Sequence, residues 1–346
     1  MSSRAAYRRR ALFGFSLAVA AASLWGPSGC TGSSGGCGRG APTEGRPQRD
    51  PNRGGSREEA TSEEATRGVA SRRSARASGP HKKTNLKPLV KKRLREIKKK
   101  LGPGFAALSD GPFVVAGDMG EKKLAAHARF SVLQPADAMW KSLFDEKPDK
   151  VITVLLFAGQ KSYRKWAKKL YGDKNPPYFG YYRSSDRTLV MDIHTGGGTL
   201  IHELTHALIV YDFPAVPTWF NEGLASLHEA CRIYPTHIRG TLNWRLPGLH
   251  AAMRKGGLRS LKELVTKRDF YKNNGALNYA HARYFVMYLQ KKKKLVEFYR
   301  YFRDTYQETS PNDVKAIEHV MGKPIAQVER DYLNWVRPLR LQKRPR

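Results

Sequence analysis

The chain has 346 residues, 62 basic and 30 acidic side chains, a formal net charge of +32 and 40% hydrophobic residues, and its mean hydropathy is −0.57. That composition can fill a packed core in part of the chain, and it excludes both a wholly disordered chain and a multi-span membrane protein. Three cysteines, Cys30, Cys37 and Cys231, are too few for a disulfide framework, so the fold has to rest on burial or on a metal.

The first 104 residues hold 23 basic and 7 acidic side chains, half of the net charge in under a third of the length. Residues 1–29 read as an export signal: Arg8, Arg9 and Arg10, an apolar run from Ala11 to Trp25, then small residues and turn formers. The run is 15 residues long, short of the ~20 that a spanning helix needs. Ser28-Gly29-Cys30 is similar to the end of a bacterial lipoprotein cleavage site, where the cysteine becomes lipidated, although Pro27 replaces the usual Leu. Lipidation of Cys30 and plain secretion therefore both stand.

Residues 30–104 read as a disordered tether. From Thr31 to Pro80 the only large aliphatic residue is Val69, and such a segment cannot bury enough surface to offset the entropy of ordering. Lys82 to Lys100 then carries ten Lys or Arg and one Glu, with Leu89, Leu94 and Ile97 loosely at helical spacing. Such charge reads either as a solvated basic leader to the domain or as a contact for anionic lipid or cell-wall polymer, and both readings stand. Nucleic acid is not expected, because no aromatics are interleaved for stacking and an exported protein does not meet it.

The folded domain is expected over 105–346. Phe113 to Ala116, Val151 to Phe157 and Thr188 to Ile193 read as strands, with a helix over Ser162 to Tyr171. After residue 199 the apolar spacing turns helical in seven segments: Thr199 to Tyr211, Thr218 to Cys231, Leu261 to Lys267, Ala276 to Gln290, Leu295 to Tyr306, Asp313 to Met321 and Ile325 to Val336. The fold class is α+β, a small sheet followed by a mostly helical subdomain.

Within the first of these helices lies His202-Glu203-Leu204-Thr205-His206. Positions i and i+4 share a helix face, so both imidazoles can reach one cation, and Glu203 stands beside that face as a proton acceptor that does not ligate. A catalytic zinc wants a third protein ligand and an open position. Asp212 sits six residues beyond His206, but Ile209 stands where a bend-making Gly would be needed to bring it back. Glu222, in Pro217-Thr218-Trp219-Phe220-Asn221-Glu222-Gly223-Leu224-Ala225, is the better candidate. Pro214 and Pro217 end the first helix, Thr218 is placed to cap the second, and Gly223 permits close helix packing.

These two motifs together resemble the gluzincin metallopeptidases, and more narrowly a bacterial group with a W-F-N-E-G-L-A segment and largely unassigned substrates. The resemblance covers roughly residues 112–338, including Tyr181-Tyr182-Arg183 and Asn278-Tyr279-Ala280. It implies a zincin-like fold, one Zn2+ held by His202, His206 and Glu222, and Glu203 as general base. Thermolysin-type members carry an Asp four residues after the ligand Glu; Ser226 stands there, so Asn221 or Glu229 has to orient the histidines.

Related enzymes use Tyr or His to meet the oxyanion; Tyr279 is the first candidate and His281 the second. The strand Thr188 to Ile193 is expected to be the edge that pairs with extended peptide, and His194 at its end is within reach of substrate. His228, His237, His250 and His319 read as structural or surface residues. The resulting expectation is an exported zinc peptidase of the envelope. A metal-bearing but catalytically degenerate module that binds anionic polymers is the alternative.

Overall fold

The structure, a computed structural model, describes residues 85–341 except Tyr178. The export signal, Cys30 and the tether up to residue 84 lie outside the described residues. No described helix is long and apolar enough to cross a membrane.

Alternation along the strands divides one five-stranded sheet into two apolar faces. Its strands are β1 (Ala106–Asp110), β2 (Phe113–Gly117), β3 (Ile152–Phe157), β4 (Gly180–Arg183) and β5 (Thr188–Asp192), in the order β1-β2-β3-β5-β4. β2, β3 and β5 run parallel, and β1 and β4 flank them antiparallel. All residues of β2, β3 and β5 are buried, which is why these three read as continuous apolar runs. The antiparallel strands escaped the sequence pattern because Ala-Ala-Leu-Ser-Asp and Gly-Tyr-Tyr-Arg are short and mixed.

The position of β4 corrects one expectation. Thr188 to Ile193 is not an edge: β5 is paired on both sides, by β3 and by β4. The edge strand on that side of the sheet is Gly180–Arg183, and it packs along the helix that carries His202.

The boundary at residue 104 is also corrected. Helix α1 (Lys87–Leu101) is a folded part of the domain, not tether, and buries Val90, Ile97 and Leu101 on the sheet. Each such side chain contributes roughly 1.5–3 kcal/mol when fully buried, enough to hold a helix of low mean hydropathy in place. Arg93 reaches inward, its Nε donating to Thr153 Oγ1 at 2.8 Å. Leu89, by contrast, is 46% exposed, so the inward stripe is Val90-Ile97-Leu101 rather than one through Leu89.

α1 lies over β1 and β2, and the helix Gln160–Tyr171 lies beside it over β3 and β5. The other face of the sheet bears everything else. It packs against the helical pair Glu121–Ala128 and Gln134–Ser142, joined by the π-helical turn Arg129–Leu133, and against the C-terminal helices. In chain order the helices are α2 and α3 for that pair, α4 (Gln160–Tyr171), α5 (Gly197–Asp212), α6 (Thr218–His228), α7 (Leu246–Lys255), α8 (Leu261–Thr266), α9 (Gly275–Lys291), α10 (Leu295–Thr305), α11 (Asp313–Met321) and α12 (Ile325–Val336). A two-stranded ribbon, Cys231–Ile233 with Ile238–Gly240, follows α6.

α5, α6 and α9 form the centre. α5 is apolar on nearly every side and accordingly buried from Leu200 to Ile209. Gly223 is the contact point of α6 with α9: a Cβ there would stand 3.0 Å from Val286 Cγ2 and 3.1 Å from the Ala282 backbone. Around α6 the rings of Trp219, Phe220, Phe298 and Phe302 meet at 5.0–6.2 Å, and Trp219 Nε1 donates to Asp313 Oδ1 at 2.7 Å. The domain is α+β, sheet first and helices after.

Candidate metal centre

The loop after β5 bends into α5 through Gly196, whose φ of 103° suits glycine. One and two turns later His202 and His206 project from the same helix face, with Nε2 atoms 3.0 Å apart. α5 ends at Asp212, and the turn that holds Pro214 and Pro217 reverses the chain into α6. Pro217, not Thr218, occupies the N-cap of α6, and no side chain caps it. Glu222 consequently sits just past the first turn, with Oε2 3.4 Å from each imidazole Nε2.

All three side chains are buried, Glu222 completely, and they form a group that could hold a metal ion. Four ligands bound tetrahedrally at about 2.0–2.1 Å are spaced roughly 3.3–3.4 Å apart, close to the triangle observed. Proton placement supports the same reading. Asn221 Oδ1, an acceptor only, lies 2.8 Å from His206 Nδ1, which fixes the proton on that nitrogen and leaves the Nε2 lone pair free. Glu229 Oε1 lies 3.0 Å from His202 Nδ1, and its negative charge favours the proton on that nitrogen.

Two imidazole lone pairs and a carboxylate oxygen thus converge in a buried space. Glu222 Oε2 has no hydrogen-bond partner among the described residues. Such an arrangement is costly without a cation. The residues present fit a divalent metal.

Electrostatics set these groups apart from ordinary carboxylates and imidazoles. Burial alone would raise the Glu222 carboxyl, but His206 and His202 outweigh it and hold the group far below the usual range. Burial likewise opposes ionisation of Glu229, and Arg245 and His202 bring it down to about 2. Arg245 grips that carboxylate with both ends, Nη2 to Oε1 at 2.7 Å and Nε to Oε2 at 2.9 Å. Glu203 is displaced the other way: burial raises it, and the pull of His202 and His206 does not cancel that.

Both orienting residues named from the sequence, Asn221 and Glu229, are in position, one for each histidine. Ser226 takes no part. Its hydroxyl has no hydrogen-bond partner among the described residues, while its carbonyl receives Arg283 Nε at 2.8 Å.

Tyr279 stands beside the ligands, its ring 6.4 Å from that of His202, and burial together with Glu222 raises its phenol well above the ordinary value. His281 does not reach the site. It is fully buried behind α9, stacked on Tyr332 at 5.6 Å and an 11° interplanar angle. Helical geometry explains the difference, since two residues on a helix lie about 200° apart.

Asp212 is engaged elsewhere. It accepts the Asp145 and Glu146 backbone N–H groups, the Tyr299 hydroxyl at 2.7 Å and Arg303 Nη1 at 2.9 Å. His194 is about half exposed on the loop before α5, its Nδ1 2.7 Å from the buried carboxylate of Asp192. Among the histidines read as structural, His228 pairs with Thr205 Oγ1 at 3.0 Å, His250 with the Val336 carbonyl at 3.0 Å, and His319 stacks on Tyr301.

Two neighbours of the candidate site were missed from the sequence. Tyr271, on the loop between α8 and α9, donates to Glu222 Oε1 at 2.6 Å. Arg245, just before α7, clamps Glu229 and lies 5.2 Å over the Tyr279 ring. Neither belongs to a motif, and only the chain's return from α7 and α8 brings them in. No family model and no curated protein matches this chain.

Proposed function

We propose that the protein is a zinc-dependent peptidase of gluzincin type, exported to the cell envelope and hydrolysing peptide bonds. The observation that carries this reading is the meeting of His202 Nε2, His206 Nε2 and Glu222 Oε2, with Glu203 on the same helix. Two imidazoles and one carboxylate are the donor set of catalytic zinc sites that keep a position open. Zinc held there supplies Lewis acidity toward a carbonyl oxygen and brings the ionisation of a water toward neutral pH.

The protein's own groups do the rest. Glu203, with its raised carboxyl, is suited to take a proton from the attacking water and return it to the leaving amine. Tyr279 keeps its phenolic proton across the working pH range and can donate to negative charge on the former carbonyl oxygen, while the Tyr271 hydroxyl donates to Glu222 Oε1 and steadies that carboxylate. Glu229 and Asn221 hold each imidazole in one tautomer. The edge strand β4, beside α5, offers unpaired backbone groups to an extended substrate.

Zinc analysis of the purified protein beside hydrolysis of an unstructured protein such as casein tests the reading. Glu203→Gln should retain the metal and lose activity by a factor of about 10² or more. Full activity in that variant would sink the peptidase, and an unchanged polymer-binding role would point to a metal-bearing binding module.

A further inference from the structure

We infer that the outer surface of α1 and α4 is a docking face for an anionic phospholipid bilayer. It lies on the side of the sheet opposite the helices of the metal centre. The inference does not rest on the hydrolytic reading and stands if that reading fails.

The two helices cover the same sheet face side by side. α1 buries Val90, Ile97 and Leu101 there, and α4 buries Tyr163, Trp166 and Ala167. Their opposite stripes are cationic. Lys92, Arg95 and Lys99 recur along the outer side of α1, and Lys161, Lys165 and Lys168 do so along α4, all six exposed. The two helices contain a single acidic residue, Glu96, which is already 3.6 Å from Arg93. Among the described residues none of those six cations forms an ion pair. Charge left uncompensated over two adjacent helices is not needed for the fold, whose inward stripes are apolar.

The shape and the chain entry favour a bilayer over a polymer strand. The 15 residues of α1 span about 22 Å and the 12 of α4 about 18 Å, and the two helices on a sheet present a broad plane rather than a groove. No aromatic side chain on the outer stripes is available for base stacking, whereas Leu89, 46% exposed at the head of α1, can enter the headgroup layer. The chain reaches this face at residue 85, and its leading sequence carries the apolar run of residues 11–25 and Cys30. One weak hydrophobic anchor becomes stable when a basic patch supports it. The folded face supplies that second contact, and α4 extends it beyond the basic stretch 82–100.

The test uses the full chain and vesicles of phosphatidylcholine with and without one-third phosphatidylglycerol. Each cation at an anionic surface strengthens binding about fivefold. The wild type should therefore partition at least tenfold more strongly onto the phosphatidylglycerol vesicles, and lose that gain at about 0.5 M salt.

The triple variant Lys161→Glu, Lys165→Glu, Lys168→Glu should lose the gain while its binding to phosphatidylcholine alone, its melting temperature and its metal content are unchanged. The inference is overturned if the wild type shows no preference for phosphatidylglycerol, or if the triple variant retains it. It is also overturned if duplex DNA at equal phosphate concentration displaces the wild type from the vesicles.

Discussion

Glu229 stands 3.0 Å from His202 Nδ1 while Arg245 holds its two oxygens from behind. The carboxylate is buried and ionised only because two cationic or proton-donating neighbours face it. Glu229→Gln removes the charge that fixes the tautomer of His202 and leaves the Arg245 guanidinium short of its partner. Loss of such an outer contact costs 10- to 100-fold in metal affinity as a rule, and a competition titration against a chromophoric chelator should find that range. Affinity equal to wild type would mean that His202 needs no orienting group.

On the proposed reading, Glu222 and Asp212 separate as ligand and brace. Glu222→Ala should abolish stoichiometric metal, whereas Asp212→Ala should keep it. The second variant strips the partner from two backbone N–H groups, a phenol and an arginine, and a loss of roughly 2–4 kcal/mol in unfolding free energy is expected. Elemental analysis with denaturant melts of both proteins checks the pair.

The two phenols should differ in kind. Tyr279→Phe, beside the histidine ligand, is expected to lower kcat by about 10² with metal content and KM little changed. Tyr271→Phe deprives Glu222 Oε1 of its 2.6 Å donor, so its first effect should be weaker metal binding. Steady-state kinetics alongside metal titration separates these outcomes. Equal effects of both changes on kcat alone would contradict the assignment.

Much of this centre was legible in the sequence, for a physical reason. His202, His206 and Glu203 share one helix, where spacing dictates direction, and Glu222 follows across a single proline-bounded turn. Helices α11 and α12 likewise match the apolar spacing at both ends, because each presents one clean inward stripe. β1 and β4 were missed because antiparallel edge strands of mixed composition carry no run. α7 was not among the expected helices; Pro247 and Gly248 interrupt its apolar spacing, and Pro247 stands in its first turn, where the missing N–H costs nothing. Tyr271 and Arg245 reach the ligands only through tertiary folding, which no local pattern encodes.

Gly198 makes a further prediction. A Cβ at that position would lie 2.3 Å from the Glu229 carbonyl oxygen, so the first turn of α5 rests directly on the chain that leaves α6. Gly198→Ala should cost about 1–3 kcal/mol and displace Glu229, weakening metal binding without touching a ligand. Thermal melts and metal titration would both register the change, and a variant as stable as wild type would refute the contact.

Acid should unfold the domain through its buried neutral imidazoles. Burial lowers His228 and His281 to about 3 each, below the ordinary value of about 6.5. The unfolded chain therefore takes up these protons first. Stability is fully present above about pH 6.5 and falls progressively toward pH 3 as the unfolded state gains up to two protons more than the native one. His281→Leu, remote from the metal ligands, should flatten that slope by one proton in denaturant midpoints measured across the range.

Residues 221–229 contain one member of the group that could hold a metal ion, Glu222, and the neighbours of both its histidines, all on or just beyond a single helix. Their angular phase is shared, so they cannot be adjusted one at a time. Inserting one residue between 222 and 229 would rotate Glu229 by about 100° relative to Glu222, stranding Arg245 and freeing His202 together. A swap that grafts the whole nine-residue block keeps that phase, whereas a splice inside it breaks two supports at once.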